Sequence, residues 1–305
     1  MPDLAIPVPI LAAAIAVAML LGQRRAPPAI LSAVIALGWF AIVMLGGGTI
    51  LSAAIGFAAL LPVVAGRAFA GHAMALRPAM FAIAFAPFVL AHADRLASPA
   101  DIALLAATGL GMLVFVLRSP ETDRVPGIEA AHLGIVALGV AAVAIDMQRL
   151  GPALSLPAML AGAMAGCLLA SRPVGSAPLG FPTADAAALL VAFLLGDLAL
   201  NGAWGAALVL GALAALEIVV LLVTAARADR SNDKDRPRGA FVEAMKRQRS
   251  DRSALIGTIV VGILMAILAL GASQGEWIAA LLGAGALMWL FQRFLWRLMP
   301  ERRPG

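Results

Sequence analysis

Charge is what this sequence has least of. Only 13% of its 305 residues are Asp, Glu, Lys or Arg, and 62% are hydrophobic, whereas about a quarter of a soluble globular chain is charged. A water-facing surface around one apolar core is therefore excluded. One cysteine, Cys167, excludes an internal disulfide and lies in an apolar run. The three histidines, His72, His92 and His132, are far apart, and neither a His-Glu-x-x-His helix nor a Cys/His cluster occurs. A Gly-x-Ser-x-Gly nucleophile elbow and a glycine-rich phosphate loop are also missing. No basic segment precedes the first apolar run, "AIPVPILAAAIAVAMLLG", so that run reads as a first span, not as a cleaved leader.

What the chain has instead is apolar length. Runs of 17 residues or more recur throughout, and each can cross a hydrocarbon core of about 30 Å as a helix. Eleven spans are expected, near 5–22, 27–46, 49–66, 78–92, 101–117, 127–146, 153–171, 184–200, 202–226, 254–271 and 276–293. The fold class is all-α: a polytopic integral membrane protein forming one transmembrane domain over 1–305, with a long basic loop at 227–253.

The basic residues then fall on one side. If connections alternate across the membrane, Arg24, Arg25, Arg67, Arg77, Arg118, Arg124, Arg172, the nine between Arg227 and Arg252, and the four from Arg293 onward share a side. Those are twenty of the 22 Lys and Arg residues, leaving only Arg95 and Arg149 opposite. Cytoplasmic connections are the basic ones. The N-terminus is expected outside and the C-terminus in the cytoplasm, in the inner membrane of a bacterium. The net charge of +5 is thereby accounted for by orientation, with no nucleic acid as partner. The 227–253 loop suits anionic headgroups or a phosphorylated substrate.

Ionisable residues at membrane depth are costly and mark function by default. Glu129 and His132 are three apart at the start of the sixth span and share a helix face. Asp185 opens the eighth span in "FPTADAAALLVAFLLG", where a helix N-terminus favours an anion. Asp197 lies about three turns further along. Glu217 is well inside the ninth span and needs a partner or a proton.

From Glu121 to about Gly271, the order of these segments resembles the polyprenyl-phosphate N-acetylhexosamine-1-phosphate transferases, the family of the phospho-N-acetylmuramoyl-pentapeptide transferase. "DRVPGIEAAHLG" resembles the family motif Asn-x-x-Asp-Gly-x-Asp-Gly-Leu-Ala-x-Gly. Asp123 stands for the Asn, Pro126 for the first Asp and Glu129 for the second, with Gly127 and Gly134 kept. "ADAAALLVAFLL" resembles Gly-Asp-x-Gly-Ser-Leu-x-Leu-Gly-Phe-Leu-Leu, with Asp185 on the metal-binding Asp. "ALEIV" puts Glu217 on the Asp of Pro-Leu-Leu-Asp. The resemblance implies transfer of a sugar-1-phosphate from a UDP-sugar to polyprenyl phosphate with Mg2+. Asp185 would hold the metal, Glu129 and Asp123 would be catalytic, and Arg118, Arg124 and Arg172 would bind substrate phosphate.

The chain departs from that pattern in three places. The loop "GRAFAGHAMALRP" carries no acid where the family has an Asp pair. The connection "QRRA" is too short for the substrate segment, and no histidine follows His132. Three functions stay open: a transferase with weakened activity, a non-catalytic relative binding lipid phosphate or a partner enzyme, and a transporter or channel using Glu217, Asp197 and Asp185. The partners these imply are membrane lipid, polyprenyl phosphate, a UDP-sugar and a second copy of the chain as a homodimer.

Overall fold

The computed structural model describes residues 7–25, 27–46, 50–61, 73–93, 98–123, 125–170, 178–180, 182–231 and 251–297. Their elements are helices, and no strand occurs among the described residues. In chain order these are α1 (Pro7–Gln23), α2 (Pro28–Leu45), α3 (Ile50–Ala58), α4 (Ala73–Ala91), α5 (Pro99–Asp123), α6 (Ile128–Asp146), α7 (Pro152–Ala170), α8 (Thr183–Leu198), α9 (Trp204–Ser231), α10 (Asp251–Ser273) and α11 (Trp277–Arg297). Each apolar run read from the sequence carries one of them. Among the described residues, seven stretches are long and apolar enough to cross a membrane.

Local chemistry sets the helix ends. Proline occupies the first position of α2, where a missing N–H costs nothing. Ser98 and Asp101 cap α5 reciprocally: the Asp101 carboxylate accepts from the Ser98 N–H at 3.0 Å, and Ser98 Oγ accepts from the Asp101 N–H at 3.2 Å. The apolar stretch Thr183–Val223 is not one helix. Asn201 leaves helical geometry and Gly202 takes φ +97°, a conformation open to glycine, so α8 stops and α9 begins. The fourth helix starts earlier than the expected span, and it contains Pro78 and Pro87. In the 227–253 loop, α9 continues to Ser231 and α10 begins at Asp251. Residues 232–250 of that loop lie outside the described residues.

Helices α6, α7 and α8 form the centre. Every residue of α8 except Asp197 is buried. The surrounding helices instead expose large apolar side chains, such as Ile83, Leu110, Leu222 and Leu282. That inside-out pattern is stable in lipid, where exposing leucine costs nothing. Between α1 and α7 small residues bring the backbones together. A Cβ at Gly162 would lie 2.5 Å from Leu11 O, and one at Gly166 would lie 2.6 Å from Ile15 O. The contacts advance together along both helices, so α1 and α7 run parallel.

Polar groups collect at the two ends of this bundle. One end gathers the C-terminal parts of α1, α5 and α7 and the starts of α2, α6 and α8. The other gathers the C-terminal parts of α4, α6, α8 and α10 and the starts of α9 and α11. There, Ser273 Oγ and Gln274 Nε2 donate to Asp146 at 2.8 and 3.0 Å, and Trp204 packs on Trp277 with ring centroids 5.0 Å apart. The two ends are named below by the α8 residues that mark them, Asp185 and Asp197.

Candidate functional site at the Asp185 end

Three side chains from two helices meet below the surface at the Asp185 end. Arg118 sits in the penultimate turn of α5, and Glu129 and His132 sit in the first turns of α6. All three are at most 2% exposed. Arg118 Nη2 lies 3.0 Å from Glu129 Oε2 and 3.3 Å from Oε1, and it donates to His132 Nδ1 at 2.6 Å. The guanidinium also lies over the Phe115 ring, 4.8 Å from its centroid. A guanidinium can only donate, so His132 Nδ1 is an acceptor and the ring proton is on Nε2. His132 Nε2 has no hydrogen-bond partner among the described residues. The ring borders a cavity of about 10 Å³ between α6, α9 and α10, shared with Leu210, Leu213 and Met265, close to the room one water needs.

Asp123, in the last turn of α5, is committed elsewhere. Its two carboxylate oxygens accept from the backbone N–H groups of Leu179 (2.7 Å) and Gly180 (2.9 Å), which fastens the segment entering α8. Burial pushes the Asp123 carboxyl above its ordinary value, against the pull of those two N–H groups, and the nearby charge of Asp185 adds to the rise. Thr183 Oγ1 donates to Pro28 O at 2.8 Å and accepts from Ser32 Oγ at 3.4 Å, tying the start of α8 to the start of α2.

Of the residues singled out from the sequence, the structure brings together Arg118, Glu129 and His132, with Asp123 and Asp185 within electrostatic reach. Asp185 is buried at the start of α8. Glu217 is buried on α9, seven residues beyond Leu210, the residue that a Cβ at Gly139 of α6 would meet. Asp197 is at the opposite end, with Arg149 Nη1 at 3.0 Å, His92 Nε2 at 3.2 Å and Asn201 Nδ2 at 3.0 Å. Arg124 and Arg172 lie outside the described residues.

A magnesium ion needs several free oxygen ligands. Asp123 has given both of its oxygens to backbone N–H groups, and Glu129 faces a guanidinium. Among the described residues, no three His, Cys, Asp or Glu side chains converge to hold a metal. As held here, Asp123 and Glu129 do not fit a divalent-cation site.

A cleft absent from the sequence reading adjoins this cluster. It has a volume of about 310 Å³ and is lined by Leu21, Arg25, Pro28, Leu31, Cys167 and Leu179, among others. In the sequence, Arg25 stands out only as one of the orientation charges.

Comparison of the chain with models of protein families, with curated proteins and with solved structures finds no match.

Proposed function

We propose that the protein is an eleven-span protein of a bacterial inner membrane, with its N-terminus outside and its C-terminus and Asp185 end in the cytoplasm. There it binds a membrane lipid that carries a terminal phosphate, without transferring a sugar phosphate to it. The observation that carries this reading is the commitment of the polar groups. Both Asp123 oxygens are bound to Leu179 and Gly180 N–H groups, and Arg118 is turned inward to Glu129 and His132. Phosphoryl transfer needs carboxylates free for a metal and cations free for phosphate oxygens, and here Asp123, Glu129 and Arg118 are held by partners within the protein. The parallel course of α1 and α7 supports the orientation, because it starts α1 at the end opposite the basic connections.

A transferase with a weakened site is the second reading, favoured by one observation. Asp123, Asp185 and Glu129 share a single end of the bundle, as the family resemblance implies. One pair of measurements separates the two. Membranes holding the protein are supplied with undecaprenyl phosphate, UDP-sugars and magnesium, and UMP release is followed. The purified protein is then tested for retention of phosphatidic acid and undecaprenyl phosphate over phosphatidylcholine. Selective retention without UMP is expected. UMP release abolished by Asp185→Asn would replace this reading with the transferase, and the absence of selective retention would remove it.

A further inference from the structure

We propose that the cleft beside Arg25 is the site that receives the lipid phosphate, with the phosphate on the Arg25 guanidinium and the first part of the apolar chain between α1, α2 and α7. This rests on the lipid-binding reading and assigns it a place. The cleft holds about 310 Å³, the lower end of the range for small-molecule sites. Its walls are Leu21, Leu31, Cys167 and Leu179, and Arg25 is the charged side chain among its described lining residues. Apolar walls with a cation among the described lining residues suit an anionic head on an apolar tail. A free phosphate would gain nothing from the walls. A zwitterionic lipid would bring its own cation against Arg25.

Two further features indicate a formed site. Arg25, two residues beyond the end of α1, has φ +51°, in the left-handed region where glycine is the usual residue and where most other side chains cost of order 1 kcal/mol. The chain thus places an arginine on the cleft lining at a position better suited to glycine. The opposite wall is also fixed. Leu179 is held by Asp123, and the start of α2 is held by Thr183 and Ser32. A ligand entering this cleft has little left to order, so more of its contact energy appears as affinity. Asp123, Glu129 and Asp185 lie at this end of the bundle, and the first two are already engaged. Asp123 is bound to two N–H groups and Glu129 faces Arg118, so both charges are partly offset where the phosphate would sit.

The test uses the purified full chain in phosphatidylcholine nanodiscs, with and without added phosphatidic acid, and inorganic phosphate as a separate arm. Cys167 is the only cysteine of the chain and lines the cleft, so its alkylation by N-ethylmaleimide reports occupancy. Phosphatidic acid is expected to slow alkylation and raise the melting temperature. Arg25→Gln should weaken that protection about tenfold, the scale of one charge-assisted hydrogen bond. Arg25→Lys should restore most of it. Arg24→Gln, which alters an exposed neighbour that does not line the cleft, should leave it unchanged, and Leu21→Trp, which fills the cleft, should abolish it. Equal behaviour of the Arg25→Gln and Arg24→Gln variants, with wild type still selective for phosphatidic acid, would overturn this site and leave the lipid-binding function standing. Loss of selectivity in wild type would overturn both. Protection by inorganic phosphate equal to that by phosphatidic acid would overturn the lipid as ligand.

Discussion

The two ends of α8 hold the same kind of ion pair in opposite surroundings. At the Asp197 end, Arg149 meets Asp197 at 3.0 Å with their side chains 30% and 38% exposed. At the Asp185 end, Arg118 meets Glu129 at the same distance with both side chains 1% exposed. Distance therefore says little about what either pair contributes. An exposed pair gains about 0–1 kcal/mol, because water and salt screen it. A buried pair has given up its hydration, and the attraction between partners mostly repays that loss. The first pair is an adjustable tie between helix ends. The second can be removed whole at small cost, but not by halves.

The largest effect should come from dividing the buried pair. Arg118→Met leaves the Glu129 carboxylate in apolar surroundings without its cation. It should cost about 3–5 kcal/mol, read as a large fall in melting temperature or as loss of the monodisperse peak in detergent. The double variant Arg118→Met/Glu129→Met should recover most of that loss. A double variant as unstable as the single one would mean that the cluster contributes more than mutual neutralisation, with His132 the remaining candidate.

The sequence discloses one end more fully than the other. Apolar run length places a helix at each of the eleven positions, because lipid demands satisfied backbone within each segment. The three-residue spacing of Glu129 and His132 already puts them on one face. Arg118 is on a different helix, and its inward turn depends on how α5 packs on α6, which no local pattern encodes. Asp123 resembles a catalytic residue in sequence, yet its partners are backbone N–H groups 56 and 57 residues away. The cleft is assembled from helix ends spread between Ala18 and Leu179, so its only trace in the sequence is the pair Arg24–Arg25. At the Asp197 end, Asn201 and Gly202 mark the turn openly.

Asp123 should come next in size. Asp123→Ala leaves the Leu179 and Gly180 N–H groups without their acceptor and should cost about 1–3 kcal/mol, with faster proteolysis near the start of α8. Its pH behaviour has a definite sign. The folded carboxyl titrates above its ordinary value of 3.8, so the folded state holds its proton more tightly than the unfolded chain. The stability this contributes is fully present below the ordinary value and is lost as pH rises through the raised one. Melting temperatures of wild type minus those of Asp123→Asn should therefore fall as pH rises across that window. A difference that rises with pH would mean that the two N–H groups outweigh burial.

The smallest effect is expected at the Asp197 end. Asp197 accepts from Arg149, His92 and Asn201, so no single donor is indispensable. Asn201 Nδ2 also donates to the Asp197 backbone carbonyl at 2.7 Å, which holds the turn whatever the carboxylate does. Arg149→Ala should therefore cost about 0.2–1 kcal/mol at low salt. That cost should shrink further as salt shortens the screening length to about 8 Å near physiological strength. The measurement is the melting-temperature difference between Arg149→Ala and wild type across a salt series, beside the same series for Arg118→Met. The buried variant should show little salt dependence, because ions do not reach Glu129. If Arg149→Ala cost as much as Arg118→Met, and salt did not diminish it, the Asp197 end would be as dry as its counterpart. The two ends of α8 would then differ only in which helices they join.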